Sequence, residues 1–402
     1  MRDNVILYGI GSKMLRHRTW YNNNFNIIAF SDSNPDKKIN IPFDGIPYIL
    51  PDQINEMNYD YIIVCSVHSN QIISYLINKL KLSRDKIYSD FQIYSKYLYK
   101  KMESFGNRNK DKIIVIIGRD CPTQGLFWHY NYYIQYINEI LNKGYYPVID
   151  MKNHVNIYLD QEELGKKNTW EFYFKQPTTI TLEEAYHSAN VIITPDIDFI
   201  SDGNNAIGNI YYDKSIRRNF YEIGKEYIKL NPSINLKIEE EFNLLMKPIK
   251  SKNYKILGTL YRGTDFINIK PYLHSIQPTV DEFVEKTKVL AKLWECEYIY
   301  MASDDESAIN KMRDTFGDKF LCHTRKRFSN TGDKRLAYIS FDRENDRYIK
   351  GYDYLSEIYL LSMCDSIVAG KAGGTVGALI LNGCRYEHEY FFELGLYGIN
   401  DN

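Results

Sequence analysis

The sequence predicts an α/β chain made of three Rossmann-like units in succession, and three observations carry this. Residues 5–8, 112–117 and 256–260 are short apolar runs of the buried-strand type. Each run breaks at its carboxyl end into a polar or glycine-bearing loop. Each loop is followed by a helical stretch and then another apolar run. Strand, loop, helix and strand in repetition build parallel sheets.

The 402 residues exceed what one core holds, so two or three domains are expected. Hydrophobic content of 44% with 25% charged residues is that of a globular protein. Fifty basic residues against 51 acidic ones leave no net charge to draw the chain to nucleic acid or anionic lipid. Cys65, Cys121, Cys296, Cys322, Cys364 and Cys384 show no Cys-x-x-Cys spacing and no partnering histidine pair. Neither a metal site nor a disulfide framework is expected, and reduced thiols fit a cytoplasmic protein. The chain starts directly into a strand, without a signal peptide's apolar region and cleavage site. No apolar stretch approaches the ~20 residues that span a bilayer.

The first unit, residues 1–105, begins with the strand at 5–8 and the turn Gly9-Ile10-Gly11-Ser12-Lys13-Met14. A second strand at 27–30 ends near Asp32, and a third lies at 61–65. Two fingerprint glycines, Gly9 and Gly11, and an acid at the ribose position, Asp32, make a nucleotide-like site. Met14 stands where the third glycine belongs. Asp32 is equally a turn residue beside Asn34-Pro35. The polar stretch 95–111 reads as a linker.

The middle unit, residues 106–250, places the loop Gly118-Arg119-Asp120-Cys121-Pro122-Thr123-Gln124-Gly125 after its first strand. Helix 127–142 stops at Gly144, and strand 146–150 follows. Arg119, Thr123, Gln124 and His129 face a cleft or form a polar turn. Aromatics and amides over 153–173 suit sugar recognition, or simply pack. A short helix at 182–188 leads to a strand ending at Pro195. Helix 213–230, with Arg217, Arg218 and Lys225, reads as a solvated face.

The third unit, residues 251–402, opens with the strand that ends in Tyr261-Arg262-Gly263-Thr264-Asp265. An arginine at a strand's carboxyl end presents a fork of donors suited to phosphate. Helix 279–294 and strand 298–302 lead to Ser303-Asp304-Asp305, a helix N-cap with acids in the first turn. The cations Arg325, Lys326, Arg327, Lys334 and Arg335 read as a solvated loop that could meet phosphate. Helix 351–364 and strand 366–369 run into Gly370-Lys371-Ala372-Gly373-Gly374-Thr375. A glycine-rich loop entering a helix offers backbone N–H groups to an anion.

Residues 257–381 resemble the donor domain of the α1,6-fucosyltransferase and protein O-fucosyltransferase superfamily. The resemblance rests on Leu260-Tyr261-Arg262-Gly263-Thr264-Asp265, on Met301-Ala302-Ser303-Asp304-Asp305, and on Glu357 with Gly373-Gly374-Thr375-Val376. The C-terminal two-thirds is also similar to bacterial cell-surface-polysaccharide glycosyltransferases of this type. Residues 45–51 are similar to a loop in the Rossmann-like domains of nucleotide-sugar enzymes.

The resemblance implies that the last two units form a GT-B glycosyltransferase, with 106–250 taking the acceptor and 251–402 the nucleotide sugar. It implies inverting, metal-independent transfer without a cofactor, from a donor such as GDP-fucose to a hydroxyl of a cell-surface glycan intermediate. Arg262 would hold the diphosphate, with Gly373, Gly374 and Thr375 adding donors. Glu357 would pair with guanine, and Ser303, Asp304 and Asp305 would lie near the ribose or order the site. Asp265, His274 and Asp120 are the candidate bases. The family's second motif arginine is absent here, replaced by Gly263 or Tyr261. A lipid-linked acceptor would bring the enzyme to the inner face of the membrane only peripherally. Two other functions fit parts of the chain: an NAD-dependent nucleotide-sugar oxidoreductase centred on Gly9, Gly11 and Asp32, and a non-catalytic glycan-binding protein using the aromatics of 153–173.

Overall fold

The computed structural model describes residues 2–35, 45–66, 69–99, 101–194, 207–271, 274–329, 332 and 334–398. Contacts divide the chain into two compact units, Met1–Glu103 with Thr194–Asn209, and Ser104–Ile193 with Ile210–Asn402.

The first unit holds β1 (Asn4–Tyr8), α1 (Ser12–Asn24), β2 (Asn26–Ser31), β3 (Tyr48–Ile49), β4 (Tyr61–Val64), α2 (Ser69–Asn78), β5 (Ile87–Ser89) and α3 (Asp90–Leu98). The strands form one parallel sheet in the order β3-β2-β1-β4-β5. Ile6, Ile62, Val64, Ile73, Leu76 and Ile87 fill a core on one face of it. Ser89 caps α3 with a reciprocal box: its Oγ accepts from Gln92 N–H at 3.2 Å, and its N–H donates to Gln92 Oε1 at 3.0 Å. Residues 95–98, expected in a linker, are the last turn of α3.

The second unit begins with β6 (Ile114–Gly118), α4 (Leu126–Asn142), β7 (Tyr146–Asp150), α5 (Leu182–Ala185) and β8 (Val191–Ile193). These strands form a parallel sheet ordered β7-β6-β8. The strand expected to run to Pro195 ends at Ile193, and Pro195 lies outside the described residues. Then come α6 (Lys214–Tyr227), α7 (Pro232–Leu245), α8 (Lys247–Lys250), β9 (Ile256–Tyr261), α9 (Asp265–Ile269), α10 (Val280–Leu293), β10 (Tyr298–Ser303), α11 (Glu306–Phe316), β11 (Phe320–Leu321), α12 (Asp346–Ser362), β12 (Ser366–Gly370), α13 (Gly373–Asn382) and β13 (Glu389–Phe392). The third sheet is parallel and ordered β11-β10-β9-β12-β13, the order of the first sheet repeated. Every residue of β9 is buried, as an unbroken apolar run at the centre of a parallel sheet requires. The expected α/β chain of three Rossmann-like sheets is therefore what forms.

Helix α13 joins the halves of the second unit, packing against α12, α4 and α6. Gly377 permits this approach, since a Cβ there would sit 2.1 Å from Phe127 Cδ1. Three sequence expectations are corrected. Helix α12 starts five residues before Gly351, where Asp346 pairs with Arg343 at 2.7 Å and Lys350 at 3.1 Å. Helix α13 starts at Gly373, within the glycine loop. Arg217 does not lie on a solvated face: it is 1% exposed, donates from Nε to Ile210 O at 2.6 Å, and pairs with Glu389. Among the described residues no helix is long and apolar enough to cross a membrane.

Candidate functional site

The third sheet brings three strand ends to one level. Tyr261 pairs with Ser303 across β9 and β10, and Leu260 with Ala369 across β9 and β12. The residues that follow each strand therefore emerge side by side. Strand order runs β10, β11 to one side of β9 and β12, β13 to the other, so the gap beyond β9 and β12 is the switch point where ligands of such sheets sit. Arg262 and the 370–375 loop, separated by more than a hundred residues in sequence, stand on its two sides.

Arg262 is gripped by two carboxylates. It pairs with Asp265 Oδ1 at 2.8 Å and with Asp304 Oδ2. Its guanidinium lies over the Phe266 ring at 4.7 Å, and the exposed His274 meets that ring edge-on at 5.2 Å. Burial works against the charge of Arg262, but Asp304 and Asp265 outweigh it and raise its pKa. Burial lifts Asp304 to about 6, with Arg262 opposing and Asp265 and Asp305 adding. Asp265 Oδ2 accepts the Leu336 N–H at 3.1 Å, so both of its oxygens are engaged.

The turn between strand and helix is strained. Thr264, a β-branched residue, sits at φ 48° and ψ −117°. Its N–H donates to Asp305 Oδ2 at 3.2 Å, while Asp305 Oδ1 accepts from Ala308 N–H at 3.0 Å and Ser307 Oγ at 2.6 Å. Asp305 is thus the N-cap of α11 and a tie to the 263–264 turn. A Cβ on Gly263 would lie 2.3 Å from Asp305 Oδ2, which explains why no arginine occupies this position. Ser303 Oγ donates to Tyr261 O at 3.0 Å and accepts from Asp305 N–H at 3.1 Å, again holding the strand ends.

Across the gap, the amides of Gly373, Gly374 and Thr375 precede the first bond of α13, Val376 N–H to Ala372 O at 3.1 Å. The Thr375 hydroxyl donates to Gly370 O at 2.6 Å, so Thr375 offers the site its N–H alone. Gly374 has no room for a side chain: a Cβ would lie 2.8 Å from the Tyr354 hydroxyl and 3.1 Å from Leu260 Cδ1. Asn131 of α4 donates to Gly373 O at 2.9 Å. The Lys371 ammonium is drawn aside to Glu393 at 2.7 Å.

Glu357, buried on α12, meets Arg325 Nε at 3.2 Å and Arg327 at 3.5 Å, both through Oε1. Burial lifts it to about 7 despite both arginines. The expected solvated loop is corrected accordingly: the side chains of Arg325 and Arg327 are only 8% and 6% exposed. Arg335 reaches the middle sheet's loop, donating to Thr123 Oγ1 at 3.3 Å.

In that middle sheet Asp120 Oδ1 accepts Val155 N–H at 2.8 Å and faces His154 Nδ1 at 3.3 Å. Arg119 lies over Trp128 and Tyr132, at 5.4 and 5.8 Å. His129, expected at a cleft, is fully buried in α4; burial and Arg119 push it down to about 3, so it is neutral. The aromatics expected to read sugar are core residues, with Trp170 and Tyr173 wholly buried and Tyr158 at 4%. A glycan-binding surface over 153–173 is not formed by them.

In the first unit, Gly9 has φ 94° and Gly11 is the N-cap of α1. Asp32 accepts Ile10 N–H at 2.7 Å and Asn34 N–H at 2.9 Å. Both carboxylate oxygens hold their own turn, which leaves Asp32 poorly suited to a ribose. Met14 is wholly buried, and Lys13 pairs with the buried Asp90 at 2.7 Å.

Sequence reasoning missed Tyr354, which stands between Gly374 of α13 and Gly125 at the start of α4, with 3.3 Å from its ring to a Cβ on Gly125. Its place one helical turn before Glu357 was the available signal.

Residues 1–88 match the family described as C2185-like, N-terminal. No curated protein matches the chain. Among solved structures it is similar to the α-1,6-fucosyltransferase NodZ soaked with GDP-fucose, at 14% identity over 67% of this chain and 92% of that one, with a TM-score of 0.38. It is also similar to POFUT1 in complex with GDP, at 10% identity over 71% of this chain and 99% of that one, with a TM-score of 0.39.

Proposed function

We propose that the second unit is a GT-B-type glycosyltransferase that takes a nucleotide-diphosphate sugar at the crevice beyond β9 and β12. One observation carries the reading: Arg262 and the amide-lined start of α13 flank the same switch point, with Leu260 and Ala369 paired directly beneath them. A guanidinium and a helix N-terminus are complementary to a diphosphate, whose charge grows as the sugar leaves. No step here draws on a bound metal.

GDP-fucose is the donor we favour, transferred with inversion to a hydroxyl of a cell-surface glycan intermediate. Glu357 suits guanine, since a carboxylate accepts from both N–H groups of that base edge. Arg325 and Arg327 help keep it ionised, against its burial. Asp265 aligns Arg262 through one oxygen and fixes Leu336 through the other, which argues against its acting as the base. His274, exposed and in contact with Phe266, is the favoured general base over Asp120. Asp304 and Asp305 order the site.

Thermal shift with GDP, UDP, ADP and NAD tests this on the intact chain. GDP should raise the melting temperature of the wild type and not of Arg262→Ala. Stabilisation by NAD alone, or GDP stabilisation that survives the substitution, would overturn it.

A further inference from the structure

We propose that Tyr354 contacts the diphosphate, its hydroxyl donating to an oxygen held between Arg262 and the first turn of α13. The proposal rests on the reading above, that a nucleotide-diphosphate sugar occupies this crevice. Four observations lead to it.

The hydroxyl lies where two helices begin. It is 2.8 Å from a Cβ built on Gly374, the second residue of α13. Its ring carbon Cε1 is 3.3 Å from a Cβ built on Gly125, the N-cap of α4. Two glycines at two helix starts thus make room for one phenol.

The ring is fixed and the hydroxyl is not. Phe127 packs edge-on against the ring at 5.2 Å and 83°. Yet the hydroxyl makes no hydrogen bond among the described residues. Other tyrosines around the site each donate to a carbonyl: Tyr173 to Tyr348 O at 2.8 Å, Tyr300 to Glu357 O at 3.2 Å, and Tyr211 to Ala372 O at 3.3 Å.

The charges that bear on the hydroxyl are those of the site, Arg262 foremost, then Asp304 and Glu357. Burial pushes the phenol above its ordinary range, so it keeps its proton and remains a donor.

The electrostatics call for such a donor. Arg262 faces two carboxylates, so with both ionised the trio carries one negative charge. A dianionic diphosphate needs neutral donors beside it, and a phenol adds one without a further counter-charge.

The test is a titration of GDP and of guanosine into wild type, Tyr354→Phe and Arg262→Ala. Tyr354→Phe keeps the ring against Phe127 and should melt like the wild type. It should weaken GDP about tenfold, as loss of one hydrogen bond to a charged group does, and leave guanosine unchanged. Wild-type GDP affinity in Tyr354→Phe, with Arg262→Ala impaired, overturns the role of Tyr354 alone. Equal losses for GDP and guanosine also overturn it, since the residue would then act through packing. No GDP binding by the wild type overturns the functional reading instead. A second variant, Gly374→Ala, puts a methyl against the hydroxyl. It should weaken GDP in the wild type and add little to Tyr354→Phe; fully additive losses would count against the contact.

Discussion

Gly263→Ala is a one-methyl change whose consequences can be worked out atom by atom. The new Cβ would lie 2.3 Å from Asp305 Oδ2, 2.6 Å from Tyr261 Cε1 and 3.1 Å from Asp305 Cγ. Comfortable contacts lie at about 3.5–4.0 Å, so the carboxylate must retreat by roughly 1 Å. Asp305 cannot retreat without loss. Its Oδ1 caps α11, worth about 0.5–2 kcal/mol. Its Oδ2 holds the Thr264 N–H, worth about 1 kcal/mol. Tyr261 packs against Phe283 at 5.1 Å, and crowding a core ring costs about 1–3 kcal/mol. The sum is a destabilisation of roughly 2–5 kcal/mol, centred on the turn that carries Arg262. Guanidinium denaturation of the full chain should show the transition that reports on the second unit moving to lower denaturant. GDP titration should show weakened binding. Gly11→Ala is the control, since nothing lies within 4 Å of its Cβ position and its φ is −127°. Should Gly263→Ala keep both the wild-type midpoint and the wild-type affinity, the tie from Asp305 to the strand end is not what orders the site.

Further outcomes follow from the same structure. Asp304, held up to about 6, should make donor binding depend on pH: an anionic ligand repels the ionised carboxylate, binding takes up a proton, and affinity for GDP-fucose should rise as pH falls from 7.5 to 5.5. Calorimetric titration across that range checks this, and Asp304→Asn should flatten its share of the profile. Arg217→Met leaves Glu389 and the Ile210 and Tyr211 carbonyls without their buried donor, and should destabilise the second unit by about 3–5 kcal/mol in chemical denaturation. Asp32→Ala removes two bonds to the first unit's glycine turn, at a cost of about 1–3 kcal/mol, and should leave GDP affinity as it was.

What the sequence made legible was local. The unbroken apolar run of β9 and the loop after it named the strand and its arginine. Ser303-Asp304-Asp305 before a helical stretch named an N-cap, and Asp305 is that cap. What stayed hidden depended on partners far along the chain. Arg217 looks solvated on a helical wheel because nothing local announces Glu389, 172 residues away. Arg325 and Arg327 read as a loose basic loop because the carboxylate that buries them lies 30 residues downstream of Arg327, on another element. His129 reads as a cleft residue because α4 is expected to be buried on one face, whereas Phe127, Tyr130, Asn131, Tyr133 and Ile134 are buried around most of its circumference. The register that sets Leu260 beside Ala369, and so joins the two halves of the candidate site, has no local signature at all.

The strand order β3-β2-β1-β4-β5 recurs as β11-β10-β9-β12-β13, so one polypeptide carries the same topological crevice twice. The two copies differ in what their first loops hold: Lys13 locked onto a fully buried acid in one, Arg262 at the rim in the other. Stoichiometry therefore becomes informative. A calorimetric isotherm with one equivalent of nucleotide per chain would mean that the copies have diverged in task, and two equivalents would mean that the amino-terminal copy still takes a ligand of its own.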